Sequence, residues 1–191
     1  MLLSHYIDEQ KTGYIRLGEI LERVKEKNSD GYETASITNS EIWGMPLGSE
    51  LWGENFYSVT SADNMGYTTV GKKHISFNPA RANIGSFGIN MSNNKLSVSS
   101  AYPVFRVKQE KIKEYLPEYV FLEIKYNQEV IDDINERAYG TIRQSLSVTD
   151  FLKLQIRDID IEKQKAVVNN FKSKYKKFRK LEEELFEFKL E

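Results

Sequence analysis

The sequence predicts an α+β domain with a mixed sheet, followed by one long C-terminal helix of the coiled-coil type. Three observations predict it. Short apolar segments broken by Gly, Asn and Pro fill residues 35–107, as strands and turns do. Helical spacing of apolar residues returns after Pro117. Residues 160–191 then run without a single Gly or Pro. A domain of strands followed by helices reads as α+β.

Taken in order, Leu17, Ile20, Leu21 and Val24 sit at i, i+3, i+4 and i+7 and predict a short opening helix, ended by Asn28–Gly31. Predicted strands follow at Tyr57–Val59, Tyr67–Val70, Ile75–Phe77, Phe87–Ile89 and Val104–Val107. Gly44, Gly53, Asn64–Gly66, Gly71, Asn78-Pro79 and Asn93-Asn94 punctuate them. Pro117 opens a helix with Tyr119, Phe121, Leu122 and Ile124 apolar, which Val130, Ile131 and Ile134 extend or restart. The expected boundaries are a domain over 1–157 and a helix over 158–191. No internal repeat is visible.

The chain has 191 residues, 40% hydrophobic, 29% charged and 12% aromatic, enough for one cored domain with an appendage. A net charge of −1 announces no nucleic-acid partner by bulk charge. With no cysteine there is no disulfide framework or thiolate metal site, which fits a cytoplasmic protein. Its first residues lack the basic and apolar runs of a signal peptide. No window approaches the roughly 18 apolar residues of a membrane span, so no membrane partner is expected.

The terminal helix carries the strongest pattern. Asp160 is a candidate N-cap, with Glu162 in the first turn where the helix dipole favours an anion. Val168, Phe171, Tyr175, Phe178 and Leu185 follow a 3-4 alternation that Glu182 breaks, with Leu181 and Phe188 beside the seam. Residues 160–191 would extend roughly 48 Å at about 1.5 Å each. Such a stripe requires a partner, and no second long helix is predicted in the chain. Lys163 to Lys180 is basic, and Glu182 to Glu191 is acidic. An antiparallel pair of identical helices would set basic against acidic, so an antiparallel homodimer is favoured. A helix folded back on its own domain and a different partner protein are the alternatives.

Enzymatic motifs are largely missing. Asn78-Pro79-Ala80-Arg81 lacks the second proline and the aromatic of the amino-methyltransferase tetrapeptide. Gly85-Ser86-Phe87-Gly88 has the wrong spacing for a phosphate-binding loop. His5 and His74 are isolated, so no metal site is expected. Glu123-Ile124-Lys125 spells half of a nuclease motif but lies in a predicted helix, with Asp63 the nearest upstream aspartate. There is no Gly-x-Ser-x-Gly elbow.

A family resemblance rests on several segments in order. Tyr67-Thr68-Thr69-Val70, then His74-Ile75-Ser76-Phe77-Asn78-Pro79-Ala80-Arg81-Ala82-Asn83-Ile84-Gly85-Ser86, resembles the central segment of target-recognition domains in type I restriction-modification specificity subunits. Val98-Ser99-Ser100-Ala101-Tyr102-Pro103-Val104-Phe105 is similar to that family's Ser-x-x-Tyr-x-x-Phe strand. Arg143–Ser147, Phe151-Leu152 and Leu154–Ile156 resemble its closing segment, and Glu162-Lys163-Gln164 stands where the family has Glu-Gln at the helix start. The likeness covers roughly residues 14–180. The usual proline-rich approach to the helix is here Arg157–Ile161, without proline. A full subunit has two recognition domains and two spacer helices, whereas this chain has one of each.

The resemblance implies a non-catalytic, DNA-reading half-subunit that binds no cofactor of its own. Double-stranded DNA and methyltransferase subunits would be its partners, with a motor-nuclease subunit in a full complex. S-adenosylmethionine, ATP and Mg would belong to those partners. The alternative is an assembly module whose coiled-coil tail binds proteins and which has no DNA role.

The candidate DNA-binding residues are Lys72, Lys73, Asn78, Arg81, Asn83 and Ser86, with Thr141, Arg143, Gln144 and Ser145 in a second polar loop. Cations serve phosphates, while Arg and Asn can grip guanine and adenine edges through paired hydrogen bonds. Each has a plainer reading. Asn78-Pro79 and Gly85 suit ordinary turn chemistry, and Arg81 can equally pin a loop through carboxylates. The 141–145 loop can instead cap a neighbouring helix. Trp43 and Trp52 are core residues or stacking wedges, the former being commoner. The basic helix face is solvated, a protein interface, or a phosphate contact.

Overall fold

The computed structural model describes residues 13–53, 64–139 and 145–188, excepting the side chains of residues 139, 179 and 182–188. Eight strands and six α-helices are named in chain order: β1 Gly13–Arg16, α1 Leu17–Ile20, β2 Leu21–Val24, α2 Gly48–Trp52, β3 Thr68–Val70, β4 Ile75–Phe77, β5 Phe87–Ile89, β6 Leu96–Val98, β7 Val104–Val107, α3 Pro117–Tyr126, α4 Gln128–Tyr139, α5 Val148–Lys153, β8 Gln155–Asp158 and α6 Ile161–Phe188. The α+β class is as expected. The predicted strand at Tyr57–Val59 lies outside the described residues.

The central sheet has the order β2-β7-β4-β5, every neighbour antiparallel. β3 pairs with β6 and β1 with β8, also antiparallel, and one parallel bridge joins Thr34 to Ser97. Phe151 of α5 seats on the central sheet. Its ring lies 4.7 Å from Phe77 and 4.8 Å from Phe105, centroid to centroid. Around this stack pack Leu17, Ile20, Tyr119, Phe121 and Ile124, all fully buried. A second, smaller core forms where Val70, Leu96, Val98 and Val104 meet Ala35 and Ile37.

The predicted opening helix is corrected. Only Leu17–Ile20 is helical, and Leu21–Val24 is strand β2, paired with Val104–Val107 of β7. Burial at β7 outweighs a four-residue helical stripe, because strand preference is set by what a strand packs against. After Pro117 the helical region is two helices. Asn127 ends α3 in an extended conformation, and its Oδ1 accepts the Glu129 N–H at 3.1 Å to start the next.

α6 runs unbroken for 28 residues, about 42 Å at 1.5 Å per residue. Asp160 caps it as expected, accepting the Lys163 N–H at 2.9 Å. That contact holds the Asp160 carboxyl below its ordinary pKa. Gln164, fully buried, accepts the Leu116 N–H and donates to the carbonyls of Glu114 and Ile159, each at 2.8 Å.

Two residues expected at an interface between copies are corrected here. Val168 is buried in the protein's own core. Phe171 packs on Trp43 and Tyr126, at 5.7 and 5.2 Å between ring centroids. Both are covered because α6 leaves β8 directly across α3, so its first three turns close the domain's apolar surface. Beyond them Tyr175 is half-buried, and Phe178 and Leu181 are exposed by 56% and 63%. The Leu185 side chain lies outside the described residues. No helix among the described residues is long and apolar enough to cross a membrane.

Candidate nucleic-acid interface

A cleft of about 560 Å³ opens where the 3-10 turn Pro79–Ile84 meets the 34–39 segment, α2 and the turn after β6. Asn78 builds one side of it. Its Oδ1 accepts the Ala80 N–H at 3.1 Å, its Nδ2 donates to the Tyr102 hydroxyl at 3.1 Å, and its backbone N–H reaches the Ser86 carbonyl at 3.0 Å. Gly85 then reverses the chain at φ +81°, a conformation that glycine adopts without steric cost. The Ser86 N–H closes the turn on the Arg81 carbonyl at 3.1 Å. The plain turn reading of Asn78 and Gly85 is thus correct. The same turn also sets Arg81 in the cleft lining.

Among the described residues the lining has one cation and no carboxylate: Arg81 stands among Ser36, Thr38, Asn39, Ser99 and Tyr102. Arg81 is exposed and has no ion-pair partner among the described residues. Trp52 stands at the rim, 47% exposed, donating its indole N–H to Ser36 Oγ at 3.3 Å. A neutral surface of amides and hydroxyls around an unpaired guanidinium can exchange hydrogen bonds with base edges.

Three of the ten candidate DNA-binding residues, Asn78, Arg81 and Ser86, meet in this cleft. Asn83 belongs to the same 3-10 turn but lines a separate cavity of about 360 Å³ with Tyr126, Ile131 and Ile134. Lys72 and Lys73 occupy the β3–β4 turn. Lys72 is exposed and donates to Asn93 Oδ1 at 2.7 Å. Lys73 adopts φ +61° and pairs with the buried Glu118 at 3.0 Å, so its charge serves the fold. Thr141, Arg143 and Gln144 lie outside the described residues. Ser145 is half-buried, and the next residue, Leu146, donates its N–H to the Pro79 carbonyl at 3.1 Å. The 145–146 segment is therefore tied to the turn that carries Arg81.

Ser36, Thr38 and Asn39 were not among the candidates, because their segment carries no periodic or motif signal. Tyr102 had one, the Ser-x-x-Tyr pattern. Trp43 belongs to the packing between domain and helix, through Phe121 and Phe171. Glu123 is fully buried, bound by Arg157 through contacts of 2.6 and 3.0 Å and by Asn127 at 3.0 Å, which fixes it as a structural carboxylate. His74 accepts the Gly71 N–H at 2.9 Å, and burial lowers its pKa. No group of three or more His, Cys, Asp or Glu suited to a metal ion occurs among the described residues.

No protein-family model matches the chain, and no curated protein sequence does. Solved structures do. The HsdS subunit from Thermoanaerobacter tengcongensis is similar over 95% of this chain, with a TM-score of 0.53 and 11% identity. The fold is that of half an S subunit. The S subunit of the type I restriction-modification system from M. genitalium is similar over 98% of the chain, with a TM-score of 0.58 and 14% identity. A structure described for the assembly and conformational transition of the type I system is similar over 97%, with a TM-score of 0.57 and 11% identity. The chain spans 43–46% of the length of these three. The S-subunit fold therefore includes both the cleft-bearing domain and the seat of α6.

Proposed function

We propose that this chain is a sequence-reading half-subunit of a type I restriction-modification assembly. It contacts double-stranded DNA through the cleft and contributes no catalytic group. The observation that carries this reading is the coincidence of two features. Between 95% and 98% of the chain is similar to less than half of each S-subunit structure, and its cleft offers, among the described residues, neutral hydrogen-bonding groups around one unpaired arginine.

In this reading Arg81 meets base edges, while Lys72 approaches the backbone. Two chains pair antiparallel through the distal part of α6, where Tyr175, Phe178 and Leu181 lie outside the core. The basic stretch 163–180 of one helix then faces the acidic 182–191 stretch of the other. Two-fold pairing makes the recognised DNA an inverted repeat with a fixed gap, because protein symmetry is mirrored in the site. Methyltransferase subunits dock on this pair in the cytoplasm and carry S-adenosylmethionine; a motor-nuclease subunit that uses ATP and Mg joins where cutting occurs.

Selection of bound duplexes from a random-sequence pool, with the methyltransferase present, tests the reading. It predicts a bipartite inverted repeat with affinity falling steeply as salt rises. Enrichment of an ungapped, asymmetric site would overturn the paired arrangement. No enrichment at all would favour an assembly module without a DNA role.

A further inference from the structure

Lys125 is a buried cation for which the proposed DNA role has so far found no use. It sits in the last turn of α3, 7% exposed. Its Nζ donates to three backbone carbonyls: Glu41 at 2.7 Å, Phe87 at 3.2 Å and Thr38 at 3.4 Å. The rings of Phe121 and Tyr126 lie 5.7 and 5.9 Å away, close enough for cation–π attraction. Among the described residues no carboxylate pairs with it.

Two glycines make the cage possible. Gly44 adopts φ +66°, and a Cβ there would stand 1.8 Å from the Phe87 oxygen and 2.8 Å from Lys125 Nζ. A Cβ at Gly88 would stand 2.5 Å from the Gly44 oxygen. The 38–44 loop therefore lies directly on the backbone of β5. Its ends are joined by the Thr38 N–H to the Gly44 carbonyl at 3.0 Å, and the Ile89 N–H holds the Trp43 carbonyl at 2.8 Å. Residues 36–39 of this anchored segment line the cleft that also holds Arg81 and Ser86.

We propose that Lys125 is a positioning residue for base reading: its ammonium, gripped by the carbonyls of Thr38, Glu41 and Phe87, fixes residues 36–39 as a wall of the cleft. The inference rests on the DNA reading proposed above. An ammonium has three N–H donors to match three carbonyls, whereas a neutral amine has two and no charge. Losing the proton loosens the wall without opening the core.

Burial lowers the Lys125 pKa to about 8, against a smaller upward pull from the Glu41 carboxylate. The surrounding elements add little that titrates. Tyr126, pushed up to about 12 by burial, stays neutral, and Tyr175 of α6 acts on Tyr126. Phe87 and Gly88 of β5, Phe121 of α3 and Phe171 of α6 have no titratable groups. The folded pKa lies below that of free lysine, so between about pH 8 and 10.5 the unfolded chain binds more protons and stability rises with pH. DNA affinity moves the other way, because it needs the charged form.

The experiment measures affinity of the full chain for a duplex selected from a random pool, at pH 7 and pH 9, beside thermal stability. One required proton with a pKa near 8 predicts affinity about ten-fold weaker at pH 9, with stability unchanged or higher. Lys125→Met should bind more weakly at pH 7 and show a flat profile. A flat profile in the unmodified chain overturns the inference, as does Lys125→Met with unchanged affinity and unchanged pH dependence. The unmodified profile decides alone if Lys125→Met does not fold. No DNA retained at pH 7 overturns the DNA reading itself, and this inference with it.

Discussion

The Phe171 ring meets the Trp43 indole edge-on, 5.7 Å between centroids. This contact sets where the long helix stops belonging to the domain. Up to Phe171 the apolar stripe of α6 is core; beyond it, Phe178 and Leu181 face outward. Phe171→Ala should therefore destabilise the isolated domain by about 2 kcal/mol, less than a fully buried phenylalanine would cost. Denaturant titration of the full chain checks this, and a loss below about 0.5 kcal/mol would show the seat to be loose.

Gln164 holds the same junction by polar means. Replacing it with leucine leaves the Leu116 N–H and the carbonyls of Glu114 and Ile159 without the partners they have now. The expected cost is about 2 kcal/mol. Hydrogen exchange should localise the loss to the Leu116 amide and the first turns of α6.

Arg157 and Glu123 form a buried, two-contact ion pair joining β8 to α3. Removing only the cation strands a fully buried carboxylate, so Arg157→Met should cost about 3–5 kcal/mol. The double variant Arg157→Met, Glu123→Leu should recover most of that loss. Equal instability of the single and double variants would mean that packing, not charge, holds this junction.

Arg81 and Lys72 should differ in kind. Arg81→Ala is expected to weaken DNA binding by about 1–3 kcal/mol and to relax selectivity at one base position. Lys72→Ala should weaken all sequences alike and reduce the salt slope by about one. Affinity measured on the selected duplex and its single-base variants, across a salt series, separates the two.

Much of the fold was legible because its signals are local. Asn78-Pro79 and Gly85 marked the turn between β4 and β5, Pro117 marked the start of α3, and Asp160 marked that of α6. What escaped was non-local. Leu21 and Val24 carry a helical spacing, yet β7 pairs them from 86 and 80 residues later. Neither β1 nor β8 has a pattern of its own; each is a strand because the other is there. The cleft was half visible. The Asn78–Ser86 turn has a motif, whereas Ser36–Asn39 are held by non-local contacts, among them Pro46, Trp52 and Lys125, that no spacing encodes. The stripe on α6 was seen whole, but periodicity cannot tell a face used by its own domain from one left for a partner.

The most direct test of the paired half-subunit is the solution mass of the full chain by analytical ultracentrifugation, beside the double variant Phe178→Glu, Leu181→Glu. The account predicts twice the 22.2 kDa of one chain for the unmodified protein and a single folded chain for the variant. An unmodified protein that stays monomeric at tens of micromolar, or a variant that still pairs, would contradict it.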